Sequence, residues 1–255
     1  MKRTSLLVVL TLTLALAFGW ACRQTTNQPT EITVAAASDL TPAFEEIGRE
    51  FAADQKTKVT FVFGSTGMLT RQIENGAPMD LFAAANVAYI EQLEQKGLIV
   101  HGTKAIYARG RITMWTTGDS PLQIRTIRDL VSPEVKRIAI ANPDHAPYGL
   151  AAQQALQTAG IWDVVKPKLV YADNIRQTLQ YAETGNVDVA IVSVSLSQER
   201  KGRWTLIPEE LHQPIDQGLA VIKSTRNETA ARAFASFVTG ARGREILAKY
   251  GFAFP

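Results

Sequence analysis

From Glu31 to the C-terminus, short apolar runs alternate with stretches whose apolar residues recur every three or four positions, which restricts the chain to an α/β architecture. ITVAAA (32–37), VTFVFG (59–64) and DLFAAA (80–85) read as strands. Between them, Phe44, Ile47 and Phe51, then Met68, Leu69 and Ile73, mark helices, and Tyr89 to Lys96 forms another that stops at Gly97. A second series follows in RITMWTT (111–117), KRIAIAN (136–142), KLVYA (168–172) and VDVAIVSVS (187–195), with helices at 149–159 and 175–184. GLAVI (218–222) and helices at Glu228 to Thr239 and Arg242 to Tyr250 complete the chain. Two successive βαβαβ groups predict two lobes, each a mostly parallel sheet flanked by helices, with a ligand cleft between them. Residues 31–108 and 217–255 form the expected lobe I and 109–216 lobe II, so the chain crosses twice.

Residues 1–21 combine a basic start at Lys2 and Arg3, an uncharged run from Leu6 to Phe18 and small residues at Gly19 and Ala21, the pattern of an export signal. The run is shorter than the roughly 20 residues of a bilayer-spanning helix. Cys22, the only cysteine, stands where cleavage makes it the first mature residue, as in lipid-carrying bacterial lipoproteins. Plain cleavage nearby is the alternative. Residues 22–30 read as a polar tether, and a single cysteine excludes a disulfide within the chain. The expected location is periplasmic or extracytoplasmic, with any membrane attachment through lipid on Cys22. Lys and Arg exceed Asp and Glu by 27 − 24 = 3, and without Lys2 and Arg3 by one, with no clustering. That charge excludes nucleic acid as a partner.

The chemistry is expected at four strand-to-helix junctions: Ala37-Ser38-Asp39, Gly64-Ser65-Thr66-Gly67, Pro147-Tyr148-Gly149 and Asp173-Asn174-Ile175. Ligands of open α/β sheets bind outside the carboxyl ends of the strands, where helix N-termini present unpaired N–H groups and partial positive charge. Such a place selects an anion, and Ser38 and Ser65 add hydroxyl donors. As isolated features these serines are ordinary helix caps; their recurrence points to a site. GSTG lacks the Gly-Lys-Ser/Thr ending of a phosphate loop, so a nucleotide is not expected. Asp39 and Asp173, the nearby acceptors, are expected to face their own helix termini. The three histidines have no metal-ligand spacing. A secreted hydrolase using Ser193 or Ser195 with His145 is the competing reading, weakened by the lack of a G-x-S-x-G elbow.

At the same junctions the sequence resembles the molybdate-binding proteins of bacterial ABC importers, which have the two-lobed periplasmic-binding-protein fold. The resemblance spans Glu31 to Pro255 and rests on VAAASDLTPAF (34–44), FGSTGMLTRQIENGAPMDLFAAA (63–85), NPDHAPYGLAAQQAL (142–156), DNIRQTL (173–179) and KYGFAFP (249–255). It implies a monomeric, non-enzymatic receptor without a cofactor, which captures molybdate or tungstate and delivers it to a permease with its ATPase; sulfate is the alternative cargo. The anion's metal atom is reached only through its oxygens, which accept from the Ser38 and Ser65 hydroxyls and the backbone N–H groups of Tyr148 and Ile175. Ser193 occupies a place where many relatives have a tyrosine reaching the oxyanion; the shorter serine, with Tyr148 compensating, is the expected fifth contact.

Overall fold

The computed structural model describes Thr30–Pro255; the export signal, Cys22 and the tether up to Pro29 lie outside the described residues. β1 (Glu31–Ala37) runs through a 3-10 turn (Ser38–Leu40) into α1 (Thr41–Gln55), followed by β2 (Lys58–Gly64), α2 (Thr66–Glu74), β3 (Leu81–Ala84), α3 (Val87–Gln95) and β4 (Ala105–Gly110). Past Arg111 come β5 (Ile112–Thr117), β6 (Ile138–Ala141), α4 (Pro147–Thr158), α5 (Trp162–Val165), β7 (Leu169–Ala172), α6 (Ile175–Glu183), β8 (Val189–Ser193), α7 (Val194–Gln198) and β9 (Gly202–Leu206). The chain ends through β10 (Ile215–Val221), α8 (Glu228–Thr239) and α9 (Ala241–Lys249).

The strands form two five-stranded sheets with orders β2-β1-β3-β10-β4 and β7-β6-β8-β5-β9. In each, the first three strands are parallel and an antiparallel strand, β10 or β5, follows. The continuous apolar runs are the inner strands: Ile32, Val34, Ala35 and Ala36 of β1 are fully buried, as are Ile138 to Ala141 of β6. A parallel strand covered on both faces has no polar alternation to preserve. The first sheet is completed by the returning chain, because Phe234 of α8 packs edge-on against Phe44 and Phe51 of α1 at 6.1 and 5.1 Å. Backbone bonds between Arg109 and Ala253, at 2.7 and 2.9 Å, tie the C-terminal segment beside the crossing.

Three differences from the sequence pattern have physical causes. β4 and β9 carry no continuous apolar signature because both are edge strands with exposed positions, as in Gly202–Leu206, where Arg203 and Trp204 face solvent. The run at 187–195 does not stay extended. Ser193 ends β8 and accepts from the Leu196 N–H at 3.4 Å, which starts α7.

Candidate functional site

The carboxyl ends of β1, β2, β6 and β7 converge on a small cavity of about 10 Å³, whose lining includes Ser38, Asp39, Ser65, Thr66, Tyr148 and Ile175. No lysine or arginine is among the lining residues. The cavity has about the room of one water molecule and is far below the roughly 300–1,000 Å³ of clefts that hold drug-sized ligands, so the two sides of the site lie in close contact.

Each donor reaches the cavity through a local feature of its junction. Ser65 stands at the cap position of α2, yet its side chain makes no cap bond; its Oγ lies 2.9 Å from His145 Nδ1. Ser38 likewise makes no cap bond and donates to Asn174 Oδ1 at 3.4 Å. Asn174 caps α6 by accepting from the Arg176 and Gln177 N–H groups, so Ile175 stands at the helix terminus outside that cap. Tyr148 follows Pro147 in the first turn of α4, whose cap residue, Ala146, has no side chain to offer. The N-termini of α2, α4 and α6, together with the turn after β1, thus meet on one small volume.

The two sheets are joined across the cavity. The Gly67 N–H donates to the His145 carbonyl at 2.8 Å, and Ser195 Oγ donates to the Asp39 carbonyl at 2.8 Å. Tyr148 sends its hydroxyl into the first sheet's side, where it donates to Asp39 Oδ2 at 2.9 Å. Gln217 Nε2 donates to the same oxygen at 2.6 Å, and Tyr107 donates to Gln217 Oε1 at 2.8 Å. A register shift in β10 between Gln217 and Gly218 marks a bulge at this glutamine, the kind of irregularity that re-aims a side chain. Gly110 supplies the space: a Cβ there falls 2.1 Å from the Tyr148 hydroxyl.

Ser38, Ser65, Tyr148 and Ile175 are therefore brought together, and Ser193 is not. Ser193 is absent from the cavity wall, and its Oγ is engaged with Leu196 N and, at 2.9 Å, with Ser195 Oγ. Its placement gives no support to the expected fifth contact. The Tyr148 hydroxyl is engaged by Asp39 and Gln217. Asp39 also departs from expectation, because its carboxylate serves the Tyr148–Gln217 network rather than a helix end. The hydrolase reading fails on geometry, since His145 Nδ1 is bonded to Ser65 while Ser193 and Ser195 bond to each other. Sequence reasoning missed Gln217 and His145 as interlobe partners. A fully buried glutamine within the apolar IDQGLAV strand was the available signal for the first.

Burial without a cation pushes the Asp39 carboxyl up from 3.8 to about 6, partly offset by the hydrogen bonds from Gln217 and Tyr148. The Tyr148 and Tyr107 phenols are pushed up as well, by burial and then by the negative charge of Asp39. A raised carboxyl contributes stability that is fully present below its unfolded value, near 4, and is lost as pH rises through about 6. Asp39→Asn is thus expected to stabilise the free protein at neutral pH by up to about 3 kcal/mol, an advantage that fades below pH 4. Denaturant titrations of both proteins from pH 4 to 8 measure this; a constant difference across that range rejects the assignment to Asp39.

Compared with known proteins, the chain matches the family described as bacterial extracellular solute-binding protein over residues 32–253. The chain belongs to that family. It is 31% identical to the molybdate-binding protein ModA of Rhodobacter capsulatus over 224 residues, 87% of this chain and 88% of the relative. The molybdate-binding protein ModA of Azotobacter vinelandii is 32% identical over 244 residues, 94% of this chain and 96% of the relative. In structure, the chain resembles the periplasmic molybdate-binding protein of Azotobacter vinelandii with a TM-score of 0.82 at 27% identity, covering 88% of this chain and 99% of that one. Membership in a solute-binding family agrees with the expected two-lobed fold and with a binding protein rather than an enzyme.

Proposed function

We propose that this solute-binding protein captures molybdate or tungstate by closing its two lobes, 31–108 with 217–255 and 109–216, and delivers the anion to a membrane permease powered by a separate ATPase. The observation that carries the reading is the donor set: two hydroxyls, Ser38 and Ser65, and two helix N-termini, at Tyr148 and Ile175, lining one small cavity whose wall holds no lysine or arginine. Molybdate is the cargo named for the relatives that match most of this chain. Each hydrogen bond to a charged ligand is worth about 1.5–3 kcal/mol and each helix terminus roughly 0.3–1, so these contacts reach micromolar affinity, on the order of −8 kcal/mol, without a cation. The protein works outside the cytoplasm as a monomer and needs no cofactor, and any membrane attachment is through lipid on Cys22.

A parallel thermal-shift series with molybdate, tungstate, sulfate and phosphate tests the cargo. Ligand bound only by the folded state raises the melting temperature through RT ln(1 + [L]/Kd), so micromolar molybdate or tungstate is expected to give the largest shifts. A shift with sulfate and none with the larger anions rejects the reading. Ser65→Ala is expected to weaken molybdate binding about tenfold to a hundredfold, because a donor to a buried dianion is lost. Since Ser65 makes no cap bond, stability should change by less than the roughly 1 kcal/mol of a lost cap. Unchanged affinity in calorimetry removes Ser65 from the site.

A further inference from the structure

Asp39 lines the cavity, is fully buried, and has a carboxylate oxygen, Oδ1, with no hydrogen-bond partner among the described residues. Its other oxygen already accepts two bonds, from Tyr148 and Gln217. The titratable groups facing it are the phenols of Tyr148 on α4 and Tyr107 on β4, and neither supplies positive charge. Among the other elements packed against its turn, α7 offers Ser195, bonded to the Asp39 carbonyl. α6 carries Arg176, exposed and one residue into the helix, with the exposed Asp173 before it; α1 carries the exposed Glu45 and Arg49. His145 faces Ser65.

A dianion entering this cavity therefore comes to lie beside a buried carboxylate without a counter-ion. Like charges in a low-dielectric space cannot both persist, and the carboxylate is the group that can be neutralised, by one proton. We propose that Asp39 determines affinity in this cleft by taking up one proton from solvent, onto Oδ1, when the oxyanion is captured. The inference rests on the oxyanion reading of the cleft. Protonation removes the repulsion, leaves the two bonds at Oδ2 in place, and turns the partnerless oxygen into a donor. Capture is then linked to pH: where Asp39 is already protonated in the free protein, affinity is constant, and above that range it falls with a slope of up to one proton, about tenfold per pH unit.

Titration calorimetry of the wild-type protein with molybdate, from pH 5.5 to 8.5 and in two buffers of different ionisation enthalpy, is the test. The expected result is a plateau of affinity up to about pH 6, a decline above it, and a buffer-dependent enthalpy at pH 7.5 corresponding to uptake of up to one proton. In Asp39→Asn, which keeps an oxygen for Tyr148 and Gln217 and carries no charge, both the slope and the buffer dependence are expected to vanish, with binding at pH 8 at least as tight as in wild type. Binding by wild type that is independent of pH and buffer overturns the proposal without touching the oxyanion reading. A slope that survives in Asp39→Asn also overturns it, assigning the proton to another group such as His145. Loss of binding in Asp39→Asn alone overturns the proposal, and failure of wild type to bind any of the four oxyanions at any pH overturns the oxyanion reading itself.

Discussion

Gly67→Ala is expected to weaken oxyanion binding by one to two orders of magnitude while costing the free protein less stability than the clash itself, because the lobes can part to relieve it. Gly67 lies in the first turn of α2 and its φ is not positive, so alanine suits the local backbone. Helix propensity favours the substitution by up to about 1 kcal/mol. The difficulty lies across the cavity, where the added Cβ falls 2.9 Å from the His145 carbonyl oxygen and 3.0 Å from its Cα and Cβ. These are backbone and near-backbone atoms of the opposite sheet's loop, so the relief available is separation of the lobes, which also breaks the 2.8 Å bond from Gly67 N to His145 O. Overpacking of this kind costs roughly 1–3 kcal/mol. Because only the closed state suffers it, apparent affinity drops by the fraction of closed protein lost. Calorimetry with molybdate, beside a denaturant titration, separates the two effects. Unchanged affinity shows that the cleft functions without this contact, and a large loss of stability shows that Gly67 serves α2 rather than closure.

The same contact explains what the sequence did and did not disclose. Ser38, Ser65, Tyr148 and Ile175 were legible because each sits where an apolar strand gives way to a helix, a local pattern that places it at one end of a sheet. Their partners were not legible in the same way. Asp39 meets Tyr148 and Gln217 from 109 and 178 residues away, and no local rule anticipates bonds joined only by the closing of a sheet, for Gln217, or by the meeting of two lobes, for Tyr148. The rule applied to Asp39, an acid near a helix start, failed because two buried donors from other elements claim its carboxylate. Capping divides the serines differently from the expectation: Ser193 caps its helix, whereas Ser38 and Ser65 make no cap bond. Among the strands, β1, β3, β6 and β8 were clear because burial on both faces removes polar alternation. β4 and β9, each with one solvent-facing edge, mix charged and apolar residues and left no run to read.

The largest loss of stability is expected from Gly149→Ala. The φ of Gly149 is not positive, so the residue is glycine for space alone. A Cβ there falls 2.0 Å from the carbonyl oxygen of Ala141 and 2.6 Å from its carbonyl carbon, at the last residue of β6. No side chain can rotate away, so α4 must lift off the end of the strand that it covers. That movement opens the packing of Ala151, Ala152 and Ala155, all buried, and withdraws the Tyr148 hydroxyl from Asp39. A cost of at least about 3 kcal/mol follows, which for a protein of this size lowers the melting temperature by roughly 6–12 °C or more. Gly118→Ala is the matched control, since nothing lies within 4 Å of its Cβ and its φ is not positive. There the change should stay within about 0.5 kcal/mol. Thermal melts of the two variants decide the matter: equal and small shifts mean that α4 accommodates the methyl group without lifting from the end of β6.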